Sequence, residues 1–394
     1  MSLNNELMTR FQECYQKLPQ VEIKVPYRVN PLGAHVDHQG GAVLGRTIDL
    51  YTTLLLTPTA ESHVKLACYG HHWDPSRLTL RWTQPQKSSG WGRYAQAAVS
   101  ALHAYAPDRI KYGFEGVVHG SLPGAGLSSS ASVVLTYLTG LAFVNQLSLS
   151  QSELVELVRH VENNYLGLSN GVQDQTAIVY GRRQAMAHMD NLNRIVTDIP
   201  DAAQIDDVCW LLTYSGFSRE LLGSGFNNRV AQCREAAALL DSTAEILCQV
   251  PQSTRSEAHL QALPEPLGRR ARHFFTEIGR VEAGRTAWEA GDWNRFGELM
   301  NQSCHSSITQ YESGSQPLID LHEIVSAQSG VFGSRFCGGG YGGCLLALVE
   351  KTAVPHLIPA IEQGYLRQYP EKQGIARSFV VTAEESSTIT EISL

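Results

Sequence analysis

Residues 121–132 read SLPGAGLSSSAS. Gly124 and Gly126 flank an alanine, Leu127 follows, and Ser128, Ser129 and Ser130 run into the apolar segment VVLTYLTGLAFV at 133–144. Glycines let the backbone turn left-handed and let a ligand approach the main chain. Hydroxyls at the mouth of a helix join the unpaired N–H groups of its first turn and the positive end of its dipole, a combination that attracts an anion such as phosphate. A serine at that place can also hold Mg²⁺. Taken alone, the stretch reads equally well as a glycine turn with a serine N-cap and no ligand.

Other phosphate loops do not fit. A Walker A loop needs Gly-Lys, and the chain has no such dipeptide. GGGYGG at 338–343 satisfies G-x-G-x-x-G, but CLLALVE follows it and reads as a strand, where a dinucleotide fingerprint needs a helix. Neither HRD nor DFG occurs, so a protein-kinase fold is unsupported.

Around the loop, alternating and apolar runs at 21–57 predict strands broken by NPLGAHVDHQGG. Further strands are expected near 64–69, 114–119, 184–190, 208–215 and 377–382, and a strand pair flanks the glycines of GVFGSRFCGGGYGGCLLALVE. Helical spacing covers 91–106, 129–146, 151–166, 228–248, 267–290, 292–308, 317–328 and 354–367. The mixture is α+β rather than regular βαβ alternation. At 394 residues the chain is long for one core, and the polar stretch DIPDAAQIDD near 195–207 suggests a division into 1–200 and 201–394.

A net charge of −7, with only seven lysines and no basic run, argues against a nucleic-acid partner. No window approaches the roughly 18 apolar residues of a membrane span. MSLNNELMTRFQECYQKL lacks the pattern of a secretory signal, so a cytoplasmic location is expected. The eight cysteines form no CxxC pair and no zinc spacing, which fits inert, reduced thiols.

Three segments together go further. PGAGLSSSAS resembles the central motif of the GHMP kinases, which include galactokinase, homoserine kinase and mevalonate kinase. YRVNPLGAHVDHQGG resembles the galactokinase signature, which runs roughly Gly-Arg-Val-Asn-Leu-Ile-Gly-Glu-His-Thr-Asp-Tyr-Asn-Gly-Gly. GVFGSRFCGGGYGGC resembles the third motif, and VENNYLGLSNGVQDQ and SCHSSITQYESGSQPLIDLH also resemble galactokinase. The resemblance spans about residues 20–350. It implies a two-domain GHMP kinase fold, with an N-terminal ribosomal-S5-like α/β domain and a C-terminal α/β sandwich. It also implies ATP-dependent phosphorylation of a small-molecule alcohol, at the anomeric hydroxyl for the galactokinase branch.

The resemblance assigns roles by position. Asp174 matches the aspartate that takes or orients the proton of the C1 hydroxyl, and Arg28 the arginine beside it that holds the aspartate ionised and stabilises the moving phosphoryl. Gly124, Gly126, Leu127, Ser128, Ser129 and Ser130 match the ATP loop; Ser130 and Glu162 match the Mg²⁺ ligands; Trp91 matches the aromatic wall of the adenine pocket. Gly338, Gly339, Gly340, Gly342 and Gly343 would form a hairpin packed close to the active site. Ala34, His35, Asp37, Gly171 and Phe226 match the sugar site. As isolated residues, a loop aspartate or arginine is usually solvated, a tryptophan at helical spacing belongs to a core, and His38 is turn filler; the shared register is what singles them out.

The departures bear on the substrate. Ala34 stands where galactokinases have a glutamate that accepts from the sugar 6-hydroxyl, and Phe226 where they tend to have tyrosine. Removing that carboxylate makes room for a C6 carboxylate, so the sugar loop is more similar to that of the galacturonate kinases, and D-galacturonate is expected over D-galactose. The rival readings are a sugar- and ATP-binding regulator without turnover, a kinase of the mevalonate or homoserine branch, and a nicotinamide-dependent oxidoreductase.

Overall fold

Helix α1 (Leu3–Tyr15) sets Leu7 and Phe11, one turn apart, against one face of a sheet. The computed structural model describes residues 3–70, 77–82, 90–218 and 225–392. The sheet is built on two long antiparallel strands, β1 (Val21–Leu32) and β2 (Val43–Thr59). Side chains of a strand alternate between faces. Leu55 of β2 therefore meets α1, while Leu54 and Leu56 enter the main N-terminal core on the other side. After β3 (Val64–Cys68) and β4 (Arg77–Leu80), helix α2 (Gly92–Tyr105) crosses to β5 (Gly113–Gly120). The phosphate-loop stretch follows and delivers the chain into α3 (Ser129–Val144), buried almost all round, then α4 (Gln151–His160) and α5 (Gln173–Val179). Strands β6 (Ala185–Asp190) and β7 (Ile195–Pro200) pair with each other, and β6 pairs with the start of β2.

The second sheet begins at β8 (Val208–Tyr214). Helices α6 (Phe226–Leu240), α7 (Glu257–Gln261), α8 (Leu267–Ala290), α9 (Trp293–Thr309) and α10 (Gln316–Ser326) come next. Then β9 (Val331–Phe336) and β10 (Cys344–Glu350) form a hairpin, followed by α11 (Val354–Gln368) and β11 (Arg377–Val381), giving the antiparallel order β11-β8-β10-β9. The chain ends on β12 (Thr388–Glu391), which pairs with β1 in the first sheet, whose path runs β12-β1-β2-β5-β3-β4.

One hydrophobic core joins both sheets. Tyr27, Val29 and Leu32 of β1 and Ala125 and Leu127 of the glycine loop pack with Leu212, Leu346, Trp288 and Phe296. Trp210 stacks on Trp288 at 5.7 Å, and Trp288 Nε1 donates to Asp201 in the link between β7 and β8.

Several expectations needed adjustment. The helix expected over 151–166 is α-helical only to His160; Val161–Tyr165 widens into a π-helical turn, a form common at functional sites. The helix expected over 228–248 starts at Phe226 and stops at Leu240, because the Asp241 side chain accepts from the Thr243 N–H and hydroxyl and closes a turn. Strands β4, β7 and β12 went unread because they are largely exposed and carry no sustained apolar alternation.

Candidate active site

The glycine loop turns left-handed at Gly124 (φ 76°) and Gly126 (φ 79°). Ser128 is also left-handed (φ 58°), a conformation that strains a residue with a side chain by roughly 1–2 kcal/mol. It stands at the N-cap of α3, yet its hydroxyl does not cap the helix: Oγ is buried with no hydrogen-bond partner among the described residues. The plain serine-cap reading is therefore not what folds here. Ser129 Oγ instead accepts from the Gly124 N–H at 3.1 Å and holds the loop closed. Ser130, half-buried, lies in the first turn of α3.

Arg28, on β1 and 1% exposed, ties three pieces together. Its backbone N–H donates to the Leu127 carbonyl at 3.2 Å, and Nη1 donates to the Gly126 carbonyl at 3.1 Å. Nε and Nη2 donate to Asp174 Oδ1 at 3.0 and 2.8 Å. Asp174 comes from the first turn of α5, and its side chain keeps 15% exposure. Two residues 146 positions apart thus meet directly beneath the glycine loop.

The glycine hairpin between β9 and β10 clamps that loop from the other sheet. The Cys344 N–H donates to the Ala125 carbonyl at 2.8 Å. A Cβ on Gly126 would lie 2.9 Å from the Cys337 carbonyl oxygen, and one on Gly343 (φ 95°) 2.3 Å from that of Ala125. Gly338, Gly340 and Gly342 also have positive φ; Gly339 completes the run.

The loop after β1 carries the second group. His35 is left-handed (φ 57°), stacks on Tyr311 at 4.2 Å, and its Nε2 meets Ser313 Oγ at 2.9 Å. Strain on a buried non-glycine residue concentrates where a site needs a fixed geometry. Burial above all pushes His35 well below the usual histidine range, with His273 and Arg335 beside it acting in the same direction, so it is neutral. His38 contacts Tyr311 Oη at 3.0 Å and lies edge-on to Phe226, ring centres 6.0 Å apart; burial lowers it to about 3. Asp37 is partly buried against Gly171, where a Cβ would come within 2.4 Å of its carboxylate. Burial, and next the charge of Asp174, raise Asp37 to about 6 against the N–H groups of His38 and Gln173 and the Arg28 charge. Asp37, His38 and Gly171 open onto a cavity of about 480 Å³, whose wall includes Arg159, Arg194 and Arg234.

Glu162 lies buried in the π turn, where Asn170 Nδ2 donates to its Oε2 at 2.7 Å. Trp91 stands at the mouth of α2, partly buried on the N-terminal core. Sequence reading missed the residues behind the sugar loop: Tyr311, Ser313, His273, Glu277 and Arg335. His273, Glu277 and Arg335 sit in segments with helical or strand patterning, and Tyr311 and Ser313 in the loop between α9 and α10; in neither place does a polar residue carry a positional signal until the tertiary contacts are seen.

Residues 93–182 match the family model of the GHMP kinases N terminal domain, and residues 285–365 that of the GHMP kinases C terminal. A galacturonokinase of Arabidopsis thaliana is 36% identical over 375 residues, 89% of this chain and 88% of that protein. The chain belongs to the GHMP kinase family. A galactokinase of Staphylococcus carnosus is 30% identical over 380 residues, 95% of each chain. The structure of Lactococcus lactis galactokinase complexed with galactose superimposes with a TM-score of 0.87 at 29% identity, covering 98% of this GHMP kinase and all of its own chain, 100%. A mevalonate kinase of Methanococcus jannaschii, at 17% identity and TM-score 0.62 with 93% and 99% coverage, shares the fold. The expected α+β, two-domain GHMP kinase fold is thus met, and this GHMP kinase is an ATP-dependent phosphotransferase of the galactokinase–galacturonokinase type, with an alcohol as acceptor. Among the described residues, no helix is long and apolar enough to cross a membrane.

Proposed function

We propose that this GHMP kinase phosphorylates the anomeric hydroxyl of D-galacturonate. The observation that supports the transfer step is the Arg28–Asp174 pair hydrogen-bonded to the glycine loop. Asp174 orients the C1 hydroxyl and receives its proton as the C1 oxygen bonds to the γ-phosphorus; the bond from that phosphorus to the bridging β-γ oxygen breaks, and ADP leaves. Phosphoryl transfer of this kind has a loose transition state, so positioning and charge stabilisation outweigh strong base catalysis. Arg28 supplies a fixed positive charge at the reacting oxygens. Gly124, Gly126, Leu127, Ser128, Ser129 and Ser130 receive the nucleotide phosphates, and Trp91 borders the adenine. Ser130 and Glu162 offer the hard oxygen donors that suit Mg²⁺, which when bound neutralises phosphate charge. Residues 1–200 and 201–394 act as the two domains of a cytoplasmic enzyme, the first supplying the reacting groups and the second the hairpin and Phe226.

Asp37, held against Gly171, accepts from ring hydroxyls. Ala34 supports the acid over the neutral sugar, since a glutamate there suits a CH₂OH group and repels a carboxylate. The second reading is D-galactose, favoured by the close superposition on a galactokinase. A regulator without turnover is disfavoured by the intact pair. A coupled ADP-release assay across galacturonate, galactose, glucuronate and glucose tests the proposal: kcat/KM on galacturonate at least tenfold above the others is expected. Equal or better turnover of galactose overturns the substrate, and no turnover on any of them overturns the enzyme.

A further inference from the structure

Behind the sugar loop lies a buried network that the transfer step does not use. The N–H groups of Gly33 and Ala34 donate to Glu277 Oε1 at 2.8 and 2.9 Å, and Ser303 Oγ donates to the same oxygen at 2.6 Å. Arg280 Nε donates to Glu277 Oε2 at 2.7 Å, and His273 Nε2 donates to the Ala34 carbonyl at 2.8 Å. On the far side of Ser303, Arg335 Nη1 donates to Ser303 Oγ at 3.2 Å. Arg335 is therefore separated from the Ala34 backbone by one hydroxyl and one carboxylate.

The charges in this network do not balance. Burial works to raise Glu277, but Arg280 above all holds it at about 2, so it is ionised. Burial lowers His273 to about 4 and holds His35 well below the usual histidine range, so both are neutral. That leaves two guanidinium groups, Arg280 and Arg335, against one carboxylate, which Arg280 already engages. Arg335 is 2% exposed. A guanidinium has five N–H donors. The described residues give this one only two acceptors, Ser303 Oγ and the Phe336 carbonyl, and no carboxylate of its own. A cation withdrawn from water without a counter-ion is costly. Arg234 is exposed on the cavity wall and can be hydrated, and Arg229, which also acts on His35, donates to the Tyr311 and Glu312 carbonyls.

The geometry points to Arg335 as the residue that selects a negative C6 group: with alanine at 34, its counter-ion arrives with the substrate, whereas a glutamate at 34 would supply it from the protein. The inference rests on the galacturonate reading and names the cation that reading requires. Either the chain or the substrate can neutralise Arg335, and both carboxylates together would exceed the available charge.

The test compares kcat/KM on galacturonate and on its neutral isostere, galacturonamide. The wild-type enzyme should prefer the acid by at least tenfold. Arg335→Gln should lower that acid-to-amide ratio at least tenfold, and Arg335→Lys should retain most of it. A ratio that stays at the wild-type value in a folded Arg335→Gln protein overturns the inference, as does a collapse of the ratio in Arg234→Gln but not in Arg335→Gln. If Arg335→Gln does not fold, Ala34→Glu and Ala34→Gln decide with Arg335 intact: the glutamate should cut the ratio at least tenfold more than the glutamine, and equal effects overturn it. Galacturonate turned over without charge preference defeats this inference alone, while a wild-type enzyme inert toward galacturonate defeats the substrate reading beneath it.

Discussion

Replacing Asp37 by asparagine should make the protein more stable and the enzyme worse. Burial and the charge of Asp174 raise Asp37 from its ordinary 3.8 to about 6. Two pKa units correspond to roughly 3 kcal/mol of strain on the ionised form in the native state. Asparagine removes that strain but turns one carboxylate oxygen into a donor, facing the N–H groups of His38 and Gln173, which forfeits about 1 kcal/mol. The net gain is about 2 kcal/mol at pH 7.5. Its pH dependence has a fixed sign. Because the native pKa lies above the unfolded one, the unfolded chain releases its proton first between about pH 4 and 6, and wild-type stability contributed by this group falls as pH rises through that window. The advantage of Asp37→Asn should therefore be complete above about pH 6 and vanish near pH 4.

Catalysis should move the other way. A charged acceptor of sugar hydroxyls is worth about 1.5–3 kcal/mol per bond, so the sugar KM should rise roughly ten- to a hundredfold. In the wild-type enzyme, kcat/KM for the sugar should fall below about pH 6 as Asp37 takes up its proton, and that acid limb should be missing from the variant. Chemical unfolding at pH 4, 5, 6 and 7.5, with steady-state kinetics at the same values, measures both. A variant less stable than wild type at pH 7.5, or one with an unchanged sugar KM, refutes the reasoning.

Asp174→Asn should lower kcat by about 10²–10⁴ with sugar binding retained, and a loss under tenfold would remove Asp174 from the transfer step. Ser128→Ala should leave stability unchanged or slightly improved, because the buried hydroxyl has no partner, while raising the KM for ATP several-fold; an unchanged KM would free the hydroxyl from any part in nucleotide binding. Gly343→Ala should cost about 3 kcal/mol or more, from a φ of 95° and a Cβ 2.3 Å from the Ala125 carbonyl, and should raise the KM for ATP through the displaced loop; thermal unfolding at the wild-type temperature would contradict it.

The glycine loop is legible from its own residues, because its backbone demands are local: left-handed glycines and serines beside a helix start. The same holds for the β9–β10 hairpin, where a strand after GGGYGG separates it from a dinucleotide loop. Arg28, Asp37 and Asp174 are singled out only by the register of the motifs that resemble the GHMP kinases, since a lone arginine or aspartate carries no such signal. Illegible were features created by distant contacts. Glu277 sits on α8 at a position that a helical pattern explains equally well as a surface residue, yet it is fully buried under Gly33 and Ala34. The π turn at Glu162 has no sequence signal separate from the α-helix it continues. Ser128 was legible as a helix start, but its left-handed backbone and uncommitted hydroxyl follow from the hairpin and Arg28 pressing on the loop.

That pressing is the physical reason the motifs occur together. The glycine loop has no rigidity of its own, since glycine is the least constrained residue in a chain. Its conformation is imposed from three sides: Arg28 holds the Gly126 carbonyl, Cys344 holds the Ala125 carbonyl, and Ala125 and Leu127 are fully buried in the core shared by both sheets. The Arg28 guanidinium that fixes the loop also holds Asp174, so in the proposed reaction the seat for the phosphate and the group facing the acceptor hydroxyl share one support. A hinge motion between the two sheets would expose that core and release the loop at once. The distance between phosphate seat and acceptor is therefore set before either substrate arrives, which is what a transfer governed by positioning requires.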